Sequence, residues 1–180
     1  MAKIAVMLAN GFEEVEGLTV VDLCRRAGIE VVTTSITDDK CVMGSHNIPV
    51  IADSTFENVD FDSLDMIILP GGMPGTINLG NHAGLCEKLV EFSKSKKVGA
   101  ICAAPSVLGK LGILNGKVAC CYPGFEDQLT GANATTNKVE VDGNVITSRG
   151  VGTAIEFALA IVTMLVDKDT ASSISDGIIH

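Results

Sequence analysis

KIAVMLANGFEEVEGLTVVDLCRRAGIEVVTTSI, residues 3 to 36, reads as strand, helix, strand. Lys3–Leu8 is an unbroken apolar run that ends in the polar turn Ala9-Asn10-Gly11, the pattern of a strand buried on both faces. Glu13, Glu14 and Glu16 then open the apolar-periodic stretch Val15–Ala27, Arg25 and Arg26 fill its last turn, and Gly28 lies just past it. Acids at the start, bases at the end and a closing glycine match the polarity of a helix and its exit turn. Ile29–Ile36, rich in Val, Ile and Thr, is the second strand. In one sheet such a unit is a right-handed parallel crossover.

The rest of the chain repeats this grammar. Met66–Leu69 and Val98–Ile101 are short buried strands, stopped by Pro70-Gly71-Gly72 and by Cys102. Leu85–Lys96 and Pro105–Leu111 have helical patterning, with proline in a first helical turn where its missing N–H costs little. Lys117–Cys121 and Val145–Ser148 read as strands, with extended runs Ala134–Thr136 and Val139–Val141 between them. Thr153–Leu165 is a long apolar helix, and a short amphipathic segment follows it. Cys41–Ala52 reads as a hairpin around Gly44-Ser45, expected on the sheet edge. The expectation is one α/β domain over residues 1–180, a doubly wound, mainly parallel sheet with helices on both faces. Ligands in such sheets bind beyond the C-terminal strand ends. That brings together the Glu13–Glu16 loop, the Gly71-Gly72 turn and the residues after Ile101.

Composition agrees and narrows function. The 180 residues are 47% hydrophobic but only 4% aromatic, suiting a Val, Ile, Leu and Ala core. Thirteen Lys and Arg against 22 Asp and Glu give a formal charge of −9, which repels phosphate backbones and anionic lipid. No nucleic-acid or membrane partner is expected. The first apolar run is too short for a signal sequence or a spanning helix, so a cytoplasmic location and mostly reduced cysteines are expected. The six cysteines (24, 41, 86, 102, 120, 121) form no CxxC pair and the histidines (46, 82, 180) are scattered, so neither metal nor cofactor is expected. A P-loop GxxxxGK[ST] is also lacking.

Cys102 follows a strand directly and precedes Ala103-Ala104-Pro105, the start of a helix. Strand, tight turn and helix is the way α/β hydrolases display a nucleophile, although GxSxG is missing. A helix start favours thiolate over thiol, and its free N–H groups can hold an oxyanion or the oxygens of an oxidised sulfur. Against this stands the ordinary reading of a cysteine as a small buried hydrophobe.

Ala100-Ile-Cys-Ala-Ala-Pro105 resembles the nucleophile motif of the ThiJ/PfpI superfamily, nearest to the branch of the parkinsonism-associated protein deglycase. Gly11-Phe-Glu-Glu-Val-Glu16, Leu69-Pro-Gly-Gly72 and Thr147-Ser-Arg-Gly-Val-Gly-Thr153 agree in order and spacing, as do Arg25–Ile29 and Phe157–Val162. The resemblance spans nearly the whole chain. It implies a flavodoxin-like, class I glutamine amidotransferase-like fold. It makes Cys102 the nucleophile or oxidation site and Glu16 its carboxyl neighbour, with Gly71, Gly72 and Ala103 around an oxyanion pocket. It further implies a homodimer through the first helix and the hairpin, and an activity on small reactive aldehydes such as methylglyoxal. The competing role is a peroxide sensor whose sulfinate Glu16 holds. For either role Glu16 must be buried and neutral when the thiol ionises, because an ionised neighbour repels thiolate. Glu13 and Glu14 read as solvated acids at a helix start.

Two departures matter. Tyr122, in Cys120-Cys-Tyr-Pro-Gly-Phe125, stands where many members have a histidine, which weakens an amidase or peptidase reading because a phenol is a poor base at neutral pH. Val151 replaces a proline common in relatives, at the rim of the pocket. Arg149 is a candidate either for an anionic substrate group or for a structural salt bridge. Of Cys120 and Cys121, only one can face Cys102 as a resolving thiol, and strand packing explains both more simply.

Overall fold

A computed structural model describes residues 1–180. The chain runs β1 (Lys3–Leu8), α1 (Glu14–Arg26), β2 (Glu30–Ser35), β3 (Cys41–Met43), β4 (Pro49–Ile51) and β5 (Ser54–Thr55). It continues through β6 (Met66–Leu69), α2 (Gly75–Asn81), α3 (Ala83–Ser95), β7 (Lys97–Ile101), α4 (Pro105–Lys110) and β8 (Val118–Cys120). The last elements are β9 (Asn133–Thr135), β10 (Val139–Asp142), β11 (Val145–Ser148), α5 (Ala154–Leu165) and α6 (Lys168–Gly177). Seven strands form one sheet in the order β10-β11-β7-β6-β1-β2-β5, all parallel except β10, which pairs antiparallel with β11. This is the doubly wound, mainly parallel architecture expected.

The central strand shows why a continuous apolar run was needed. Ile4, Val6 and Leu8 point into one core with Phe157 and Ile161 of α5, while Ala5 and Met7 point into the other with Leu79, Leu89 and Phe92. A period of two sends alternate side chains to opposite faces, and each face has its own helices, so no polar residue is tolerated on either side. Full burial of one such aliphatic side chain stabilises the fold by about 1.5–3 kcal/mol. No helix is long and apolar enough to cross a membrane.

Two expectations are corrected. The hairpin forms as β3 and β4, but it is a separate two-stranded sheet rather than an extension of the main one. The edge is taken by β5, because Asp53 beside it accepts hydrogen bonds from the Thr33 N–H (2.9 Å) and hydroxyl (2.8 Å) and from Arg25 (2.8 Å). The hairpin instead docks on the loop after β1: Gly11 N donates to Met43 O (2.7 Å) and Ser45 N to Phe12 O (2.8 Å). Likewise β8 forms but pairs with β9 apart from the main sheet, and Cys120 N donates to the Thr147 hydroxyl (3.0 Å). Helix α2 is an addition, since its glycines at 75 and 80 hide the helical period. The closing amphipathic segment is α6, whose Asp167 caps the Thr170 N–H at 2.6 Å.

Candidate active site

Strands β1, β6, β7 and β11 end side by side, so the loops that follow them meet at one sheet edge. The chain leaves β7 at Ile101 and turns at Cys102, whose φ of 65° is left-handed and thus unfavourable for a residue with a β-carbon. Neighbours hold it there: Cys102 N donates to Ser148 O (3.0 Å), Tyr122 N donates to Cys102 O (2.8 Å), and Ala104 N closes the turn on Ile101 O (3.1 Å). Strain that the surroundings impose at one side chain is a mark of a working site. Cys102 remains partly exposed.

Glu16 enters from the first turn of α1 and is completely buried. Its Oε2 accepts the Gly71 N–H at 2.9 Å, while Oε1 accepts no hydrogen bond. The carboxyl and the sulfur lie close enough to influence each other's ionisation, and the N–H groups of Gly72 and Ala103 favour negative charge on the sulfur. Gly71 permits this approach: a β-carbon there would sit 2.5 Å from Cys102 Cβ and 2.7 Å from Glu16 Oε2. The sulfur, Glu16, Gly71, Gly72 and Ala103 are thus brought together as the sequence indicated.

Burial raises the Glu16 carboxyl to about 7, although its contacts with Cys102 and the Gly71 N–H pull the other way. The acid is buried, and neutral below about pH 7; with the thiol titrating higher, it is not the neutral neighbour expected at the point where the thiol ionises. The thiol differs from expectation. Burial first, then the charge of an ionised Glu16, push Cys102 up to about 12 despite the N–H groups of Gly72 and Ala103. Helix α4 is only six residues long, too short for its dipole to offset a carboxylate in contact. The pair therefore releases its first proton near neutrality, from the Glu16 carboxyl, while the thiol keeps its own.

An open cleft of about 470 Å³ lies over the sulfur, with Glu13, Tyr122, Arg149 and Gly150–Thr153 on its rim. Tyr122 is half exposed and packs edge-on to Phe125. Arg149 makes no salt bridge. It donates weakly to the carbonyls of Cys121 and Thr136, both at 3.4 Å, which leaves its charge unneutralised at the rim. Cys120 and Cys121 are sealed in the interior, Cys120 against the Thr147 carbonyl, and burial raises both thiols.

Glu14 is not a solvated acid. The hairpin covers it from water. Burial alone would raise its carboxyl, but hydrogen bonds from the His46 ring (2.9 Å), the His46 N–H (2.7 Å) and Ser45 (3.2 Å) hold it at about 2. Glu13 is also mostly covered, accepting from Ser45 at 3.2 Å with His46 Nδ1 3.6 Å away. Sequence reading did not connect His46 to this loop, because the contact depends on the hairpin folding back over residues 11–14. The position of Glu13, one helical turn before Glu16, was the signal that it would border the same cleft.

The profile of the DJ-1/PfpI family matches residues 2–164. Protein dj-1beta of Drosophila melanogaster is 37% identical over 97% of this chain and 95% of its own length. The glutathione-independent glyoxalase DJR-1.2 of Caenorhabditis elegans is 36% identical over 90% of this chain and 87% of its own. Protein DJ-1 homolog B of Arabidopsis thaliana, 36% identical, is longer, and the chain spans 41% of it. The oxidised DJ-1 of Toxoplasma gondii superposes with a TM-score of 0.96 at 36% identity, covering 100% of this chain and 99% of that one. Fold, motifs and likeness over the full length converge: the chain belongs to the DJ-1/PfpI family.

Proposed function

We propose that the protein is a glyoxalase/deglycase-type enzyme that turns small α-oxoaldehydes such as methylglyoxal into hydroxy acids through Cys102 and Glu16. The observation that carries this reading is a fully buried carboxyl whose Oε1 has no partner of its own, paired with a sulfur at a strained elbow. Glu16 takes the thiol proton as the sulfur adds to the aldehyde carbon, and the new oxyanion, cradled by the Gly72 and Ala103 N–H groups, takes that proton from the acid. The carboxylate so formed removes the hydrogen on that carbon, and the resulting enediol is reprotonated at the adjacent carbon to give a thioester. Water cleaves the thioester, releasing the hydroxy acid and regenerating the thiol. One water is consumed and no electron leaves the substrate. A carboxyl raised to about 7 suits this work, since a group near ambient pH both gives and takes protons readily. The glyoxalase name of the Caenorhabditis elegans relative supports the assignment.

The test is to incubate the purified protein with methylglyoxal and follow lactate. Turnover no higher than that of a Cys102→Ser control would sink the proposal. A peroxide-sensing role draws on the same cradle, which also fits a sulfinate with Glu16 as donor, and on the oxidised state of the Toxoplasma gondii relative. After mild peroxide, intact mass should show two oxygens confined to Cys102; oxygen spread over all six cysteines counts against that role. Pairing of two copies through α1 and the hairpin belongs to the proposal as well, because Val15, Leu18, Met43, Ile48 and Ile51 expose apolar surface there.

A further inference from the structure

Tyr122, Pro123 and Val151 give the cleft over Cys102 an apolar wall. Tyr122 is 50% and Val151 48% exposed, so neither has its apolar surface committed to the core. Both are nonetheless held in place through the backbone. Tyr122 N donates to the carbonyl of Cys102 itself (2.8 Å), which ties the ring to the elbow. That ring lies across Gly150: a β-carbon there would be 3.3 Å from Tyr122 Cδ2 and 3.8 Å from Glu16 Oε1. Val151 stands in a turn that the Thr153 hydroxyl closes, accepting the N–H groups of Arg149 (3.2 Å) and Gly150 (3.1 Å). The charges on the rim favour no ionic substrate body. Glu13 and Arg149 are opposite in sign, and Arg149 turns its Nε and Nη1 to the carbonyls of Cys121 and Thr136.

A fixed apolar wall beside a reacting atom is how a site holds the part of a substrate that does not react. Methylglyoxal would set a single methyl group against this wall. An aryl ring would cover Val151 and meet the Tyr122 ring in the offset or edge-on contact that aromatic pairs prefer. The cleft, at about 470 Å³, has room for such a body. We infer, on the aldehyde reading of Cys102, that the cleft selects α-oxoaldehydes with an aromatic body over methylglyoxal, and that Tyr122 and Val151 determine this specificity.

The test compares phenylglyoxal, which takes up one water to give mandelate, with methylglyoxal by kcat/KM on the purified protein. Wild type should favour phenylglyoxal by about tenfold, the worth of one aromatic contact with part of the ring covered. The preference should lie in KM, because a contact at the non-reacting end is made equally before and in the transition state. Tyr122→Phe keeps the ring and should keep the preference, whereas Tyr122→Ala should remove most of it. Comparing variants cancels the intrinsic reactivities of the two aldehydes. Val151→Ser, which serves should Tyr122→Ala misfold, should lower the preference about threefold through lost apolar contact. Equal kcat/KM for the two aldehydes in wild type, or a preference untouched in Tyr122→Ala and Val151→Ser, would overturn the selection and leave the aldehyde chemistry standing. A preference lost in Tyr122→Phe would overturn it as well, by assigning the choice to the hydroxyl. Absence of turnover on both aldehydes would instead remove the reading of Cys102, and this selection with it.

Discussion

Glu16 carries a cost to the fold that follows from its value of about 7 against 4.5 in an unfolded chain. An acid whose folded value is raised holds its proton in the native state while the unfolded chain has lost it. Stability from this group is therefore unimpaired below about pH 4.5, declines as pH rises through the interval, and stays lowered above 7 by about 3 kcal/mol. Glu16→Gln keeps the shape and removes the titration, so its urea midpoint should exceed that of the wild type most at pH 8 and least at pH 4. The same variant can still donate an N–H to the sulfur but carries no transferable proton, so aldehyde turnover should fall by about 100-fold or more. A Gln variant with unchanged turnover would show that the acid does not move protons. Sequence was informative about the cysteine because its signal is local, directly after a buried strand; the acid was named only through the family resemblance, since an acid in the first turn of a helix reads by itself as a partner of the dipole. The height of the thiol value was not legible, since it depends on burial and on a carboxyl 86 residues away in the chain.

Turns between elements, rather than the elements themselves, set the geometry of the site. Gly71→Ala would place a β-carbon against both Cys102 and Glu16, and overpacking of this kind costs about 1–3 kcal/mol. Displacement of reacting groups by an ångström is worth about 100-fold in rate. The variant should thus stay folded by circular dichroism while losing most of its aldehyde turnover and its selective oxidation at Cys102; a fully active Gly71→Ala would contradict the packing. The hairpin invites a different experiment. Glu14 is depressed to about 2, so its contribution to stability is present above about 4.5 and is lost as pH falls towards 2. Glu14→Ala should cost about 2 kcal/mol near pH 6, the price of breaking a covered, multiply bonded carboxylate, and the gap should close by pH 2. A gap that stays constant with pH would place the effect in packing instead. Here sequence reading succeeded on the parallel core, where apolar runs and terminating glycines are explicit. It failed on where the hairpin docks, because that depends on one buried carboxylate finding His46 and Ser45 across the fold.

At the level of the whole molecule, the −9 charge and the exposed apolar residues pull in opposite directions. Net charge keeps copies apart in solution, whereas Val15 and Leu18 on α1 and Met43, Ile48 and Ile51 on the hairpin are exposed apolar side chains from which we propose a pairing face. The hairpin is held to α1 by Glu14, His46 and Ser45, so both parts of this face move as one unit. An isologous pair built on it would bury the hairpin. Light scattering should accordingly give about twice 18.7 kDa. Ile51, 69% exposed, projects freely in one copy, so Ile51→Glu should leave the fold intact and shift the particle to the mass of a single chain. Added salt screens the repulsion between acidic copies and should tighten the pair, the opposite of an interface held by ion pairs. A single-chain mass for the wild type at micromolar concentration would refute the pairing, and dissociation on adding salt would refute its apolar origin.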